Sequence, residues 1–444
     1  MAAPEVRADL LRIAKDVAGM AQGKGGKDAA VSVSRSRSIE LRQRDGHIER
    51  IRESASSSLS LSVYVGGRYS VHATSDLRRE ALAAFVDKAV SMTRLLGEDP
   101  HRRLPDPALY AGRPTADLRL CDPGHDEVDT DRRKAIVAAV EEGARAVGGP
   151  IISVDAGWQD AVSEAVQLHT NGFEDGERST QYWAGATVTV DDRGERKPED
   201  WHWEGSRFLG ELGDPAAVGR EASRRALQRL GQVTLPSGSM TVVVENRVGG
   251  GLLSHLLSSL DGGALQQRRS WLLGKAGERV ASDRLTLVDD PLLEKGFASR
   301  RFDGDGISAR TRRLFEAGVL KEFLIDVYYG NKLGVPPTGA STANLTIPGG
   351  TRAADALIAD VGTGVFLTGL LGGNSDPNTG DFSHGFKGFE IVAGKVGRPV
   401  GEMNITGSHA DLWTRLADVG NDPYPWSASR LPTLVFRDVS VSGA

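Results

Sequence analysis

The sequence predicts an α+β fold: two small N-terminal α/β units followed by a β-rich, barrel-like C-terminal domain. In the N-terminal half, segments with helical hydrophobic spacing alternate with segments of period-two hydrophobicity. Glycine makes up 54 of the 444 residues, well above the usual share of about 7%. More than half of these glycines follow residue 233, among β-branched runs that indicate antiparallel strands joined by tight turns.

The first unit is predicted to span residues 1–105. Apolar residues at helical spacing predict a helix over 4–19, and a second helix follows Ser75 and Asp76. Arg44-Asp45-Gly46-His47 has the composition of a tight hairpin turn. Alternating apolar and polar residues predict strands at 30–42, 47–54, 59–65 and 68–74.

The second unit is predicted to span residues 115–232. A proline-containing segment over 98–128, which overlaps the start of this unit, is predicted to be a linker. A helix is expected at about 131–147. A further helix should begin at Asp214-Pro215, because proline is favoured in the first helical turn, and run to Leu230. Between these helices, strands are predicted at 151–156, 162–170, 180–191 and 201–208.

The third unit is predicted to span residues 235–444 as a β-rich domain with little helix. Thr241–Val244 has the composition of a buried strand, and residues 249–260 indicate a short helix. Strand and turn patterns then continue almost to the end, at 285–288, 320–326, 365–371, 389–392, 403–406 and 433–439.

Composition excludes several classes of function. The formal net charge of −5 argues against binding nucleic acid by bulk charge. The single cysteine, Cys121, excludes an internal disulfide framework and any multi-thiolate metal site. No apolar run approaches the ~18 residues of a membrane span, and the first residues do not resemble a signal peptide. We therefore expect a cytoplasmic protein with no membrane or nucleic-acid partner.

The common catalytic motifs are absent, so candidate site residues rest on weaker signals. His255 lies on the predicted short helix, where a lone histidine is more often structural than a ligand. The loop 374–381 is compatible with a cleft lining, although a plain hairpin loop is the simpler interpretation. Paired arginines are usually solvated but can bind a peptide carboxylate. The candidates for a peptide cleft or an interface are His255, Arg268, Arg269, Asp381 and His384.

Several segments in the last 200 residues, taken in order, resemble one known family. They include Val244-Glu-Asn-Arg-Val-Gly-Gly-Gly-Leu-Leu-Ser-His, Ser259-Leu-Asp-Gly-Gly263, Gly296-Phe-Ala-Ser-Arg-Arg-Phe-Asp-Gly-Asp-Gly306, Thr379-Gly-Asp-Phe-Ser-His-Gly-Phe-Lys-Gly388 and Val419-Gly-Asn-Asp422. Each segment alone is weak, but their shared order resembles the TldD/TldE (PmbA) family. The N-terminal order of helix, strands and helix also fits this family.

The resemblance also distinguishes two branches of the family. The TldD branch carries an H-E-x-x-x-H helix, which places two histidines on one helix face for a metal, and a cysteine ligand far downstream. Here Leu253, Ser254 and Ser258 occupy those positions, and Pro-Tyr-Pro-Trp follows Asn421-Asp422 where the cysteine is expected. Leucine cannot bind a metal and a neutral serine binds it poorly. The chain thus resembles the TldE (PmbA) branch, with no metal or catalytic residue expected in it.

The resemblance implies a heterodimer with a TldD-like protein, whose subunit would hold the metal, expected to be zinc. The pair would degrade or process unfolded peptides, such as an antitoxin or natural-product leader peptides. One alternative is a diverged stand-alone peptidase or peptide-modifying enzyme of natural-product biosynthesis, with His255, His384, His409 and Asp381 as first suspects. The other is a non-enzymatic, homodimeric peptide-binding module. Homodimerisation without the partner also remains open.

Overall fold

A computed structural model describes residues 3–443, with side chains from Arg7 onward. The helices are α1 (Ala3–Gly23), α2 (Arg79–Thr93), α3 (Thr130–Ala146), α4 (Pro215–Leu227), α5 (Gly249–Ser258), α6 (Gly262–Gln266), α7 (Val327–Leu333), α8 (Ala354–Ala359) and α9 (His409–Thr414). The first strands are β1 (Asp28–Arg44), β2 (His47–Val65), β3 (Arg68–Thr74), β4 (Ile151–His169), β5 (Phe173–Val190), β6 (Glu199–Ser206) and β7 (Gly238–Val244). The remaining strands are β8 (Leu287–Asp290), β9 (Arg312–Glu316), β10 (Val319–Leu320), β11 (Asn344–Thr346), β12 (Thr363–Ser375), β13 (Asp381–Val392), β14 (Lys395–Ser408), β15 (Leu416–Val419), β16 (Ser429–Arg430) and β17 (Leu434–Ser442).

The two N-terminal units share one antiparallel sheet with the order β3-β2-β1-β4-β5-β6. Its central seam pairs β1 of the first unit with β4 of the second, from Ala30 opposite His169 to Arg44 opposite Asp155. The strands predicted at 47–54 and 59–65 are one strand, β2, because the intervening serines continue the pairing with β1. Likewise, β4 joins the two strands predicted at 151–156 and 162–170.

The predicted hairpin turn between β1 and β2 is confirmed. Asp45 and Gly46 both adopt positive φ angles, 53° and 76°, as a two-residue type I′ turn requires. The helix predicted to run to Leu230 ends at Leu227; Asp214 caps its start by accepting hydrogen bonds from the amides of Ala216 and Ala217.

Two helix pairs cover the sheet with separate apolar cores. Helices α1 and α2 pack on alternate residues of β1 and β2, such as Val31, Leu59 and Leu61. Helices α3 and α4 pack around Trp158 and Tyr182 further along the sheet. Alternation places these apolar residues on one face, as the sequence pattern predicted.

The C-terminal domain contains a closed five-stranded barrel, which confirms the predicted fold class. Its strands follow the order β14-β13-β12-β7-β17, and β17 pairs back with β14 through Ile405 opposite Val441. A second sheet, β10-β9-β8-β11-β16, packs beside it in one core that includes Phe315, Phe386 and Trp413. Five short helices, α5 to α9, also lie in this domain, so it holds more helix than predicted.

The segment predicted as a linker, 98–128, is packed between the sheet and the C-terminal domain. The Tyr110 hydroxyl hydrogen-bonds His169 Nδ1 at 2.9 Å. The amides of Lys295 and Ser308 donate to backbone carbonyls of this segment, at Leu118 and Leu109. These contacts attach the C-terminal domain to the sheet.

A buried charge cluster forms a second attachment between the middle unit and the C-terminal domain. Asp200 lies 3.1 Å from Lys387 Nζ and 3.9 Å from both Arg225 and Arg247. Arg225 also forms a bidentate pair with Glu245, with both distances 2.8 Å. Burial opposes ionisation of Asp200, but the surrounding cations outweigh it and hold its pKa below the ordinary value.

Over residues 3–443, no helix has both the length and the apolar character needed to cross a membrane.

Candidate functional site

The candidate site surrounds α5, the helix that the resemblance aligns with the H-E-x-x-x-H helix of the TldD branch. This helix starts in the glycine run after Val248, and its leucines face the barrel core. Leu253 is fully buried there. Ser254 and Ser258 are exposed, and their hydroxyls donate to the helix's own carbonyls at Gly251 and His255, each at 2.7 Å.

The fold brings three histidines together beside α5. His255 comes from α5, His384 from β13 and His409 from the first position of α9. The ring centroid of His255 lies 4.7 Å from that of His384 and 5.8 Å from that of His409. Phe382 packs against the rings of His384 and His409 at 5.6 and 4.9 Å. We call His255, His384, His409 and Phe382 the imidazole cluster.

Burial favours the neutral form of all three histidines in the imidazole cluster. Burial, together with the two neighbouring imidazoles, lowers the pKa of His409 to about 4. Burial also lowers the pKa of His255, and it lowers that of His384 with a contribution from His255. Neutral rings can stack at these distances without repulsion between like charges.

Two ring nitrogens in the cluster have no hydrogen-bond partner in the part of the chain that is described: Nε2 of His384 and Nε2 of His409. Trp413 Nε1 donates to Nδ1 of His409 at 3.3 Å. A neutral imidazole whose Nδ1 accepts carries its proton on Nε2. Nε2 of His409 is therefore an unused buried donor, which is uncommon in native proteins.

These residues do not fit a metal ion. The position of Leu253 offers no donor atom, and the hydroxyls of Ser254 and Ser258 are used within the helix. Neutral imidazoles are good ligands for zinc. However, within residues 7–443 no three His, Cys, Asp or Glu side chains converge as a metal site requires. The stacked rings of the imidazole cluster do not meet that requirement.

The other predicted candidates are exposed and lie around a neighbouring loop. Asp381 begins β13, three residues before His384. Arg268 and Arg269 follow α6, with Arg268 in the left-handed region at φ 57°. No side-chain hydrogen bond or ion pair joins either arginine to a described residue. The structure therefore brings His255 and His384 into contact, and it leaves the arginines and Asp381 at the surface.

The loop between β12 and β13 contacts both the segment after α6 and the start of α9. The amide of Trp271 donates to the carbonyl of Pro377 at 3.2 Å, and the amide of His409 donates to the carbonyl of Gly380 at 2.7 Å. The segment after α6 and the start of α9 therefore both contact this loop. The sequence analysis missed the roles of Trp271, Phe382 and Trp413. The spacing of Phe382 and His384, two residues apart on one strand, was the available signal, since such residues share a face.

The comparisons with known proteins agree with this fold. Family models for the PmbA/TldA metallopeptidase domain 1, central domain and C-terminal domain match residues 29–93, 123–230 and 237–443. Each matched range lies within one of the three predicted units. The chain therefore belongs to the PmbA/TldD family.

Individual relatives cover nearly the whole chain. A protein from Bacteroides thetaiotaomicron, whose crystal structure describes it as a candidate modulator of DNA gyrase, is 38% identical. It matches with a TM-score of 0.94, covering 98% of each chain. Metalloprotease PmbA of Escherichia coli O157:H7 is 29% identical over 96% of this chain and 94% of its own. TldE of Thermococcus kodakarensis, at 19% identity, shares the fold with a TM-score of 0.86, covering 97% of this chain and 100% of its own.

Proposed function

We propose that this chain is a non-catalytic subunit that pairs with a TldD-like metalloprotease to degrade or process unfolded peptides. The observation that carries the proposal is the chemistry of α5. Leu253 is buried in the core, and the hydroxyls of Ser254 and Ser258 donate to the helix's own carbonyls. Peptide hydrolysis by a metalloprotease needs a metal to polarise the carbonyl and to activate water. In this proposal the partner supplies that metal, with zinc the expected ion.

Membership of the PmbA/TldD family supports the proposal, because relatives across the full length are named metalloproteases. In this role the chain completes the chamber around the partner's metal and limits access to extended substrates. Antitoxins and leader peptides of peptide natural products are the proposed substrate classes. Arg268, Arg269 and Asp381 are exposed and are the proposed contacts with peptide or partner.

The experiment compares three samples: this chain alone, a TldD-like protein from the same genome alone, and the two co-expressed. Metal content, mass in solution and casein cleavage are measured for each sample. We expect cleavage only from the pair, with one metal per one-to-one complex and none in the lone chain. A matched control pairs this chain with a TldD-like variant whose metal-helix histidines are replaced by alanine; that complex should assemble and not cleave.

Two outcomes would overturn the proposal. Stoichiometric zinc and casein cleavage by the lone chain would instead indicate a stand-alone peptidase, with His255, His384 and His409 as the ligands to test. A stable homodimer that binds peptide and ignores the TldD-like protein would indicate a non-enzymatic binding module.

A further inference from the structure

A cavity lies where the segment 98–128 meets the C-terminal domain. It is lined by β8, β9 and the connection between them, by the loop after α7, and by Leu109 of the segment 98–128. Its volume is about 150 Å³, and the exposed Arg310 belongs to its lining, so the cavity reaches the surface. A cavity of roughly this volume can hold a benzene molecule. The cavity therefore has room for a small ligand.

The charged residues of the lining are not all paired. They are Asp289, Arg300, Asp303, Arg310 and Arg312. Arg312 Nε lies 2.9 Å from Asp289 Oδ2, and Arg310 Nη2 lies 2.7 Å from Glu322 Oε2. Within residues 7–443, neither Arg300 nor Asp303 has an oppositely charged atom within 4 Å. One cation and one anion thus share the cavity without contacting each other, and we call it the Arg300–Asp303 cavity.

One oxygen of Asp303 is fixed by its own loop, and the other is free. Oδ1 accepts hydrogen bonds from the amides of Asp305 and Ile307, both at 2.9 Å. Oδ2 accepts none from a described residue, and it lies beside Gly339, where an added Cβ atom would be 3.1 Å away. The carboxyl of Asp305 is not part of the lining and accepts from the amide of Val327 at 3.0 Å. Oδ2 of Asp303 is therefore held in position and available to a ligand.

The guanidinium of Arg300 is held by neutral oxygen atoms. Nη1 donates to the carbonyl of Thr342 at 3.1 Å, and Nη2 donates to the carbonyl and the hydroxyl of Ser341 at 2.8 and 3.1 Å. A guanidinium has five N–H groups, so these three bonds leave two of them for a ligand. The contacts position Arg300 without neutralising its charge.

The surroundings compensate neither charge fully. Burial raises the pKa of Asp303, although two amides and the cations of Arg300 and Arg312 act in the opposite direction. Burial lowers the pKa of Arg300, although the carboxylates of Asp289, Asp303 and Glu177 oppose the change. Each group would therefore be stabilised in its charged form by a ligand group of opposite charge.

Only a ligand with both charges suits the two groups together. A carboxylate can accept hydrogen bonds from Arg300, and an ammonium group can donate to Oδ2 of Asp303; such charge-assisted bonds are the stronger ones in proteins. A simple anion would leave Asp303 unpaired, and a simple cation would leave Arg300 unpaired. Alanine carries both groups and has as many non-hydrogen atoms as benzene, so it also suits the volume.

We propose that the Arg300–Asp303 cavity binds a small zwitterionic amino acid, with its carboxylate on Arg300 and its ammonium group on Asp303. The inference goes beyond the proposed function and does not depend on it. The bound amino acid would lie between the segment 98–128 and the C-terminal domain. It would therefore stabilise the contact between these two parts of the folded chain.

The test uses the full chain alone, so its outcome is separate from that of the pairing experiment. The probes are L-alanine and β-alanine, which differ in the spacing of their charged groups. The controls are N-acetyl-L-alanine, which lacks the ammonium group, and L-alaninamide, which lacks the carboxylate. In isothermal titration calorimetry we expect one-to-one binding of at least one probe, at least about tenfold more tightly than either control. The same probe should raise the thermal unfolding temperature with its concentration.

Two variants test the two charges separately. Asp303→Asn keeps an oxygen for the amides of Asp305 and Ile307. It should weaken binding of the amino acid by at least about tenfold and abolish the preference over N-acetyl-L-alanine. Arg300→Gln should weaken binding to a similar extent and abolish the preference over L-alaninamide. Circular dichroism and thermal unfolding confirm that each variant folds.

The matched control is Asp290→Asn, which makes the same change in charge one residue after Asp289 and outside the lining. Asparagine can still accept the hydrogen bonds that Asp290 receives from Leu292 and Thr311, so this variant should bind like the parent chain.

Three results would overturn the proposal. The first is no saturable binding of either probe up to about 10 mM, tenfold above a millimolar Kd. The second is equal binding of a probe and either control compound, since the two charges would then not be recognised. The third is an equal effect of Asp303→Asn and Asp290→Asn, which would place the amino acid outside this cavity.

Discussion

The histidines of the imidazole cluster differ in their chemistry from isolated side chains. His255, His384 and His409 share one site, where burial favours the neutral rings and leaves Nε2 of His384 and of His409 without a hydrogen-bond partner. A histidine kept neutral in the folded state costs stability when the unfolded chain can take up a proton. The cluster should therefore make the protein sensitive to mild acid.

Protonation should destabilise the fold between pH 6.5 and about 4. The pKa of His409 is lowered to about 4 from an ordinary 6.5. The free energy of unfolding is therefore unaffected by His409 above pH 6.5, and it falls as the pH drops towards 4 because only the unfolded chain takes up the proton. By pH 5 the loss amounts to about 2 kcal/mol. Urea unfolding at pH 7 and pH 5 measures the loss.

The variant His409→Phe provides the comparison, because phenylalanine keeps an aromatic ring and cannot be protonated. We expect its stability to fall by about 2 kcal/mol less than that of the parent chain between pH 7 and pH 5. His47→Phe, on the exposed hairpin end of β2, is the matched control and should follow the parent chain. An unchanged pH dependence in His409→Phe would contradict the buried neutral ring.

At the scale of elements, helices α3 and α4 approach each other through two glycines. A Cβ atom on Gly219 would lie 1.9 Å from the carbonyl oxygen of Val140, and one on Gly143 would lie 2.1 Å from that of Ala216. The backbones are therefore in direct contact, and Ser223 donates across the same interface to the carbonyl of Ala144 at 2.7 Å. No side chain larger than hydrogen fits at either glycine.

Gly219→Ala should separate α3 from α4 and destabilise the protein by about 3 kcal/mol, because overpacking of this size forces the backbone to move. Gly19→Ala is the matched control, since Gly19 lies within α1 and its added Cβ would meet no atom within 4 Å. The control should be neutral or stabilising by about 0.5–1 kcal/mol. Chemical unfolding of both variants measures the difference, and equal effects would contradict the close helix contact.

For the whole molecule, stability depends on the attachment between the N-terminal sheet and the barrel domain. The cluster around Asp200 joins strand β6 of the sheet to Arg225, Arg247 and Lys387 of the neighbouring elements. It places the Asp200 carboxylate among three cations, of which Arg225 is also paired with Glu245. Removing the Asp200 carboxylate would leave Arg247 and Lys387 without a carboxylate partner, while Arg225 would keep Glu245.

Asp200→Ala should therefore cost about 3 kcal/mol or more and loosen the two parts of the molecule. Limited proteolysis should then cut within residues 231–237, the connection between α4 and β7. Glu199→Ala removes an adjacent exposed carboxylate and should behave like the parent chain. Protection of the connection in Asp200→Ala would show that the packed segment 98–128 holds the domain without this cluster.

Local patterns determined much of this protein. Period-two alternation places Val31 and Leu61 on one sheet face, Asp45-Gly46 sets the β1–β2 turn, and Asp214-Pro215 begins α4. Leu253, Ser254 and Ser258, which stand where the resemblance expects metal ligands, are also visible in the sequence alone. These features depend on neighbours within a few residues, so the amino acids specify them directly.

Only the tertiary structure decided the features that join distant residues. The pairing of β1 with β4 merges two predicted units into one sheet, and β14 with β17 closes the barrel. The imidazole cluster combines residues 255, 384 and 409, and β3 pairs only with residues 59–65 of β2. The periodicity of a strand states which face is buried, but not which strand lies beside it or whether its edge is covered. That choice depends on contacts made across long sequence separations as the chain folds.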